Sequence, residues 1–88
     1  MESVQPAFGL ILYQAVVVPL AQRKKLGQGV RRCRQRAHLT MEQLGEKADL
    51  NPVYVGQIER GFKVPTVEAL LRIARALHVR VRNLLWEL

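Results

Sequence analysis

Seven basic residues and no acidic one fall between positions 23 and 36: Arg23, Lys24, Lys25, Arg31, Arg32, Arg34 and Arg36. Guanidinium and ammonium groups at this density suit one chemistry, the holding of polyanions, phosphates foremost. The chain has 88 residues, 14 Lys and Arg against 7 Asp and Glu, and a net charge of +7. Outside the run the remaining cations are matched one for one by acids, so the whole excess lies within it. A nucleic acid or an anionic membrane surface fits such a charge, and a merely solvated basic face is the plain alternative.

Residues for bond-making chemistry are missing. Cys33 is the sole cysteine, so no intramolecular disulfide forms, which fits a reducing, cytoplasmic setting. His38 and His78 stand far apart with no Cys-x-x-Cys beside them, so they read as surface residues and no metal site is expected. No nucleophile stands beside a base, and no paired carboxylates suggest acid–base work. Gly27 and Gly29 read as part of a helix start, not as a phosphate-cradling loop. No catalytic residue and no cofactor are expected, and 88 residues leave room for one small domain.

From Leu26 onward the apolar spacing is helical. Val30, Cys33, Arg34 and Ala37 share one face at i, i+3, i+4, i+7, which makes a first helix. Thr40 with Gln43 three residues on is a capping box that opens a second helix, with Leu44 and Ala48 inward. The chain turns at Asp49-Leu50. Asn51 caps a third helix, with Pro52 at its first position, Val55 and Ile58 inward and Gly61 as its stop. Thr66 caps a fourth, whose inner stripe reads Val67, Leu70, Leu71, Ile73, Ala74 and Leu77. A short fifth covers Val81 to Leu85, and Trp86 and Leu88 end the chain.

The first 25 residues differ in kind. Ala7 to Ala21 is the most apolar stretch, but it is 15 long and broken by Gly9, Gln14 and Pro19, too short for a membrane span. Its charge follows the apolar run, opposite to a signal peptide. Ile11 to Val18 is rich in β-branched residues and favours a strand. A strand arm pairing with a second chain, an apolar strap on the helices, and a disordered appendage all remain open readings.

Residues Met41 to Arg60 resemble the phage-repressor/Cro-type (XRE-type) helix-turn-helix family. The family's apolar or small positions are filled by Leu44, Gly45, Ala48, Leu50, Val55 and Ile58. Gly45 has a physical reason, since two helices cross closely there. The likeness continues through Leu26–Arg31, through Ile58–Gly61 with Pro65-Thr66, and through Leu70–Leu77, so it covers residues 26–88 and leaves out 1–25. It implies an all-α, five-helix repressor-like DNA-binding domain, preceded by the apolar N-terminal segment.

What the resemblance implies for function is a transcription regulator that binds double-stranded DNA as a homodimer, with helix 52–60 in the major groove. Its base-reading positions fall on Pro52, Val53 and Gln57, with Asn51 and Tyr54 next in line. Val53 offers contact to a thymine methyl and Gln57 a bidentate contact to adenine. Pro52 and Val53 stand where the family has polar residues, so direct readout is thin. Thr40, Met41, Gln43, Arg60 and Lys63 match phosphate-contacting positions, with Met41 in a commonly polar place. Arg34 and Glu59 match a buried structural ion pair, Phe62 is expected in the core, and Asp49 stands where positive φ favours Gly. An antitoxin or accessory interaction module, docking a protein partner through the N-terminal segment, is the alternative.

Overall fold

Leu26, Val30 and Cys33 recur at helical spacing, and that stripe is what the first helix buries. A computed structural model describes residues 20–85. They form α1 (Leu20–Arg36), α2 (Met41–Ala48), α3 (Pro52–Glu59), α4 (Val67–Ala76) and α5 (Val81–Leu85), with no strand among the described residues. The candidate strand Ile11–Val18 and the terminal Trp86 and Leu88 lie outside them. None of the described helices is long and apolar enough to cross a membrane.

The first helix already includes Leu20, so it takes in six residues that the apolar pattern assigns to the N-terminal segment. Leu20, Ala21, Gln22, Arg23, Lys24 and Lys25 are all strong helix formers, but they carry no apolar stripe to reveal the period. Ala37 falls beyond the end of α1 and is exposed, not inward.

The core is centred on Val30, Leu44, Val55, Ile58, Ile73 and Leu84, all fully buried. Through it α1 packs on α3 and α5, while α2 packs on α3 and α4. On α4 the buried positions are Ala69, Ile73, Ala74 and Leu77, whereas Val67 and Leu71 face solvent. The inner face follows the i, i+4, i+8 row through Ala69, with Leu70 and Ala76 packed at its edge and Val67 and Leu71 outside it.

Local chemistry sets every helix boundary around the turn. Thr40 Oγ1 accepts from the Gln43 N–H at 3.0 Å, and Gln43 Oε1 accepts from the Thr40 N–H at 2.8 Å, which completes the capping box. Asn51 Oδ1 accepts from the Val53 N–H at 2.8 Å, and Thr66 Oγ1 from the Ala69 N–H at 3.0 Å. Four helices end the same way, in a left-handed residue followed by an amide that reaches back five positions. The left-handed residues are His38, Asp49, Gly61 and His78, with φ of 58°, 56°, 77° and 56°. The returning amides are those of Leu39, Leu50, Phe62 and Val79, at 2.8–3.1 Å from Arg34, Gly45, Gln57 and Ala74 carbonyls.

Only one of these four is glycine, so three positions carry left-handed strain. Asp49→Gly is expected to be neutral or to stabilise by up to about 1 kcal/mol, because relief of strain slightly exceeds the extra freedom glycine gives the unfolded chain. The side chain lost is almost fully exposed, and its 3.7 Å approach to Arg72 is screened by solvent. A thermal melt checks this, and a clearly lower melting temperature would give the Asp49 side chain a structural role.

Candidate nucleic-acid interface

The inner face of α3 is spoken for: Val55, Ile58 and Glu59 are buried against α1 and α2. Its outer face carries Val53, Gln57 and Arg60 at i, i+4, i+7. Val53 is 64% exposed, Gln57 is half-buried and Arg60 is exposed. Pro52 fills the first helical position, where its missing N–H costs nothing, and is half-buried. Asn51 spends its carbonyl oxygen on the cap, which leaves its amide donors free.

Tyr54 is turned differently. Its hydroxyl accepts the Thr66 N–H at 3.3 Å, so the ring braces the start of α4 and keeps only its O–H to donate elsewhere. Gly56 went unnoticed in the sequence reading. A Cβ there would sit 3.3 Å from Met41 Sδ and 3.3 Å from Arg60 Nη1. Gly56 is buried, and Met41 and the Arg60 guanidinium pack as one patch over its backbone.

The N-terminus of α2 lies beside this patch through Met41. Thr40 and Gln43 are both engaged in the capping box, but the Thr40 hydroxyl hydrogen and the Gln43 amide hydrogens remain available as donors. Beyond α3, Arg60 and Lys63 are exposed. The Arg60 guanidinium lies over the Phe62 ring, 5.3 Å from its centroid, a cation–π contact that orients it. Phe62 is 65% exposed, which corrects its expected place in the core. The left-handed Gly61 turns the chain so that Phe62 points outward, and Pro65 is buried in the same connection.

One buried pair holds α3 to α1. Arg34 Nε lies 2.6 Å from Glu59 Oε2 and Arg34 Nη2 2.9 Å from Glu59 Oε1, a two-pronged contact. The third nitrogen, Nη1, donates to the Leu39 carbonyl at 2.8 Å. The hydrogen bonds that Arg34 donates to Glu59 raise its pKa above the usual guanidinium range, against the opposing pull of burial. Stability gained from such a raised group is complete below its unfolded pKa and is lost only above it, so Arg34 adds no pH dependence near neutrality.

Of the remaining basic run, Lys24, Lys25, Arg31 and Arg36 are exposed. Lys24 packs against Gly61, so one end of the run meets the α3–α4 connection beside Arg60 and Lys63. At the other end Arg36 lines a shallow groove with Arg80 and Arg82 and, among the described residues, no acidic one. His38 and His78 serve as helix-ending residues, and no metal-binding cluster occurs among the described residues.

The family model described as helix-turn-helix matches residues 30–84. An uncharacterized HTH-type transcriptional regulator of Mycobacterium tuberculosis is 40% identical over 53 residues, 60% of this chain and 38% of the relative. The chain thus spans well under half the length of that relative. The control protein C.SmaI of Serratia marcescens is 37% identical over 60 residues, 68% of this chain and 71% of that protein. Among solved structures, the restriction-modification controller protein C.AhdI from Aeromonas hydrophila superposes with a TM-score of 0.71 at 34% identity, covering 73% of this chain and 97% of that one. The clp gene regulator ClgR from Corynebacterium glutamicum also gives 0.71, at 32% identity over 75% and 86% of the two chains. With the motif geometry in place and the match spanning more than half of its length, this chain belongs to the XRE-type helix-turn-helix family.

Proposed function

We propose that the chain is a DNA-binding transcription regulator, not an enzyme, which acts in the cytoplasm as a homodimer and lays α3 in the major groove of each half-site. One observation carries this reading: α3 is anchored on its inner face yet keeps Val53 and Arg60 exposed and Gln57 half-buried on the opposite one. A short helix held in this way fits the width of the major groove of B-form DNA. The names of the relatives, regulators and restriction-modification controllers, point the same way. Asn51, Pro52, Val53 and Gln57 are the base readers in this proposal, while Tyr54, which braces the start of α4, adds at most its hydroxyl hydrogen. Thr40, Met41, Gln43, Arg60 and Lys63 flank them as phosphate contacts.

Selection from a randomised duplex library, followed by fluorescence anisotropy across a salt series, tests the proposal. A preferred sequence should emerge, and log affinity should fall linearly with log salt. Lys63→Ala is expected to reduce that slope by about 1 with the sequence preference unchanged. Gln57→Ala is expected to cost about 1–3 kcal/mol and to relax the preference at one base pair. No duplex binding even at low salt would overturn the proposal.

A further inference from the structure

We infer that α3 reads a pyrimidine through its C5 methyl group and accepts 5-methylcytosine in place of thymine. The inference rests on the proposed placement of α3 in the major groove. The first two positions of the helix, Pro52 and Val53, bring no polar side-chain atom where a reader needs one. Val53 is 64% exposed. Gly56, one turn on, adds no side chain, and its buried backbone lies under Met41 and the Arg60 guanidinium. Pro52 closes the near end with an apolar ring.

An apolar strip in the major groove has one matching group on a base edge, the C5 methyl of a pyrimidine. Thymine carries it, as does cytosine methylated at C5, while uracil and cytosine do not. Thymine and 5-methylcytosine differ at C4, where one offers an acceptor and the other a donor. Only a polar side chain of fixed polarity could tell these apart. Val53 has no such group, and the Gln57 amide can both donate and accept, so it serves either base. The strip therefore distinguishes methylated from unmethylated pyrimidines and not thymine from 5-methylcytosine.

The test uses the full chain and the duplex it selects from a randomised library. Deoxyuridine replaces each thymine in turn, and affinity is read by anisotropy. One position is expected to lose about three- to fivefold, the value of one buried methyl group. A cytosine–guanine pair at that position should bind better by the same factor once its cytosine is methylated at C5. Val53→Ala should bring both ratios to one. The side chain is mostly solvent-exposed, so this variant should keep its melting temperature. If a sequence is selected but every deoxyuridine is neutral, methyl reading is overturned while α3 remains in the groove. If deoxyuridine weakens binding but methylation of cytosine brings no gain, the equivalence of the two bases is overturned. If no sequence is preferred, the groove placement itself falls, and the inference with it.

Discussion

Arg34→Ala is expected to cost about 3 kcal/mol of folding stability, a large share of what a domain of this size has. The variant strands three acceptor atoms at once. The Glu59 carboxylate loses both of its guanidinium partners, at 2.6 and 2.9 Å, and the Leu39 carbonyl loses the donor at 2.8 Å. Glu59 is only 7% exposed, so water cannot take the place of the missing donors without opening the α1–α3 contact. Most of the expected loss comes from this abandoned charge, and not from the net value of the pair. The double variant Arg34→Met with Glu59→Leu separates the two contributions. It removes both charges and keeps the volume, so it should melt above the single variant. A single variant with an unchanged melting temperature would show that the pair is not what joins α1 to α3. A double variant melting lower than the single one would show that the pair itself, and not the stranded carboxylate, carries the energy. DNA binding at low temperature supplies a second readout, because α3 cannot be presented to a groove if its last turn is free of α1.

Where a local rule decides the outcome, the sequence reading and the structure agree. Thr40 with Gln43, Asn51 with Pro52, and Thr66 each start a helix through hydrogen bonds made within three residues, so nothing distant has to be known. The inward positions Leu44, Ala48, Val55 and Ile58 follow from helical period, since these helices have one buried face. Agreement stops where the partner matters. The pattern on α4 offers six apolar candidates, but the faces of α2 and α5 cover a narrower arc, and Val67 and Leu71 stay outside it. Phe62 is apolar in a loop, and only the left-handed turn at Gly61 decides that it points outward to meet Arg60. His38 and His78 carry only a weak residue-type signal for left-handed backbone. The available clue was their place, each between a finished helix and an apolar residue, as Asp49 precedes Leu50. On α3, exposure of Val53 was readable from spacing, but burial of Gly56 depends on Met41 and Arg60, which pack over it from outside the helical pattern.

Gly27→Ala should destabilise the fold by about 2 kcal/mol or more, against the usual benefit of alanine in a helix. In an open helix the exchange would gain about 1 kcal/mol from propensity alone. Here a Cβ on Gly27 would run into the carbonyl oxygens of Ile58 and Glu59 and lie 2.8 Å from the Glu59 carbonyl carbon. These are backbone atoms at the end of α3, and no rotamer change moves them. Relief requires α1 and α3 to separate, at an overpacking cost of about 1–3 kcal/mol or beyond, and the separation also stretches the Arg34–Glu59 contact carried by the same turn. Overpacking therefore exceeds propensity. Gly29→Ala meets a different neighbour, the Leu84 carbonyl of α5. It should lower the melting temperature comparably but leave α3 in place, so at a temperature where both variants are folded it should bind DNA normally while Gly27→Ala binds more weakly. A rise in melting temperature for Gly27→Ala would mean that the helices part at little cost, and that the closeness of α1 to α3 is not what holds the reading helix.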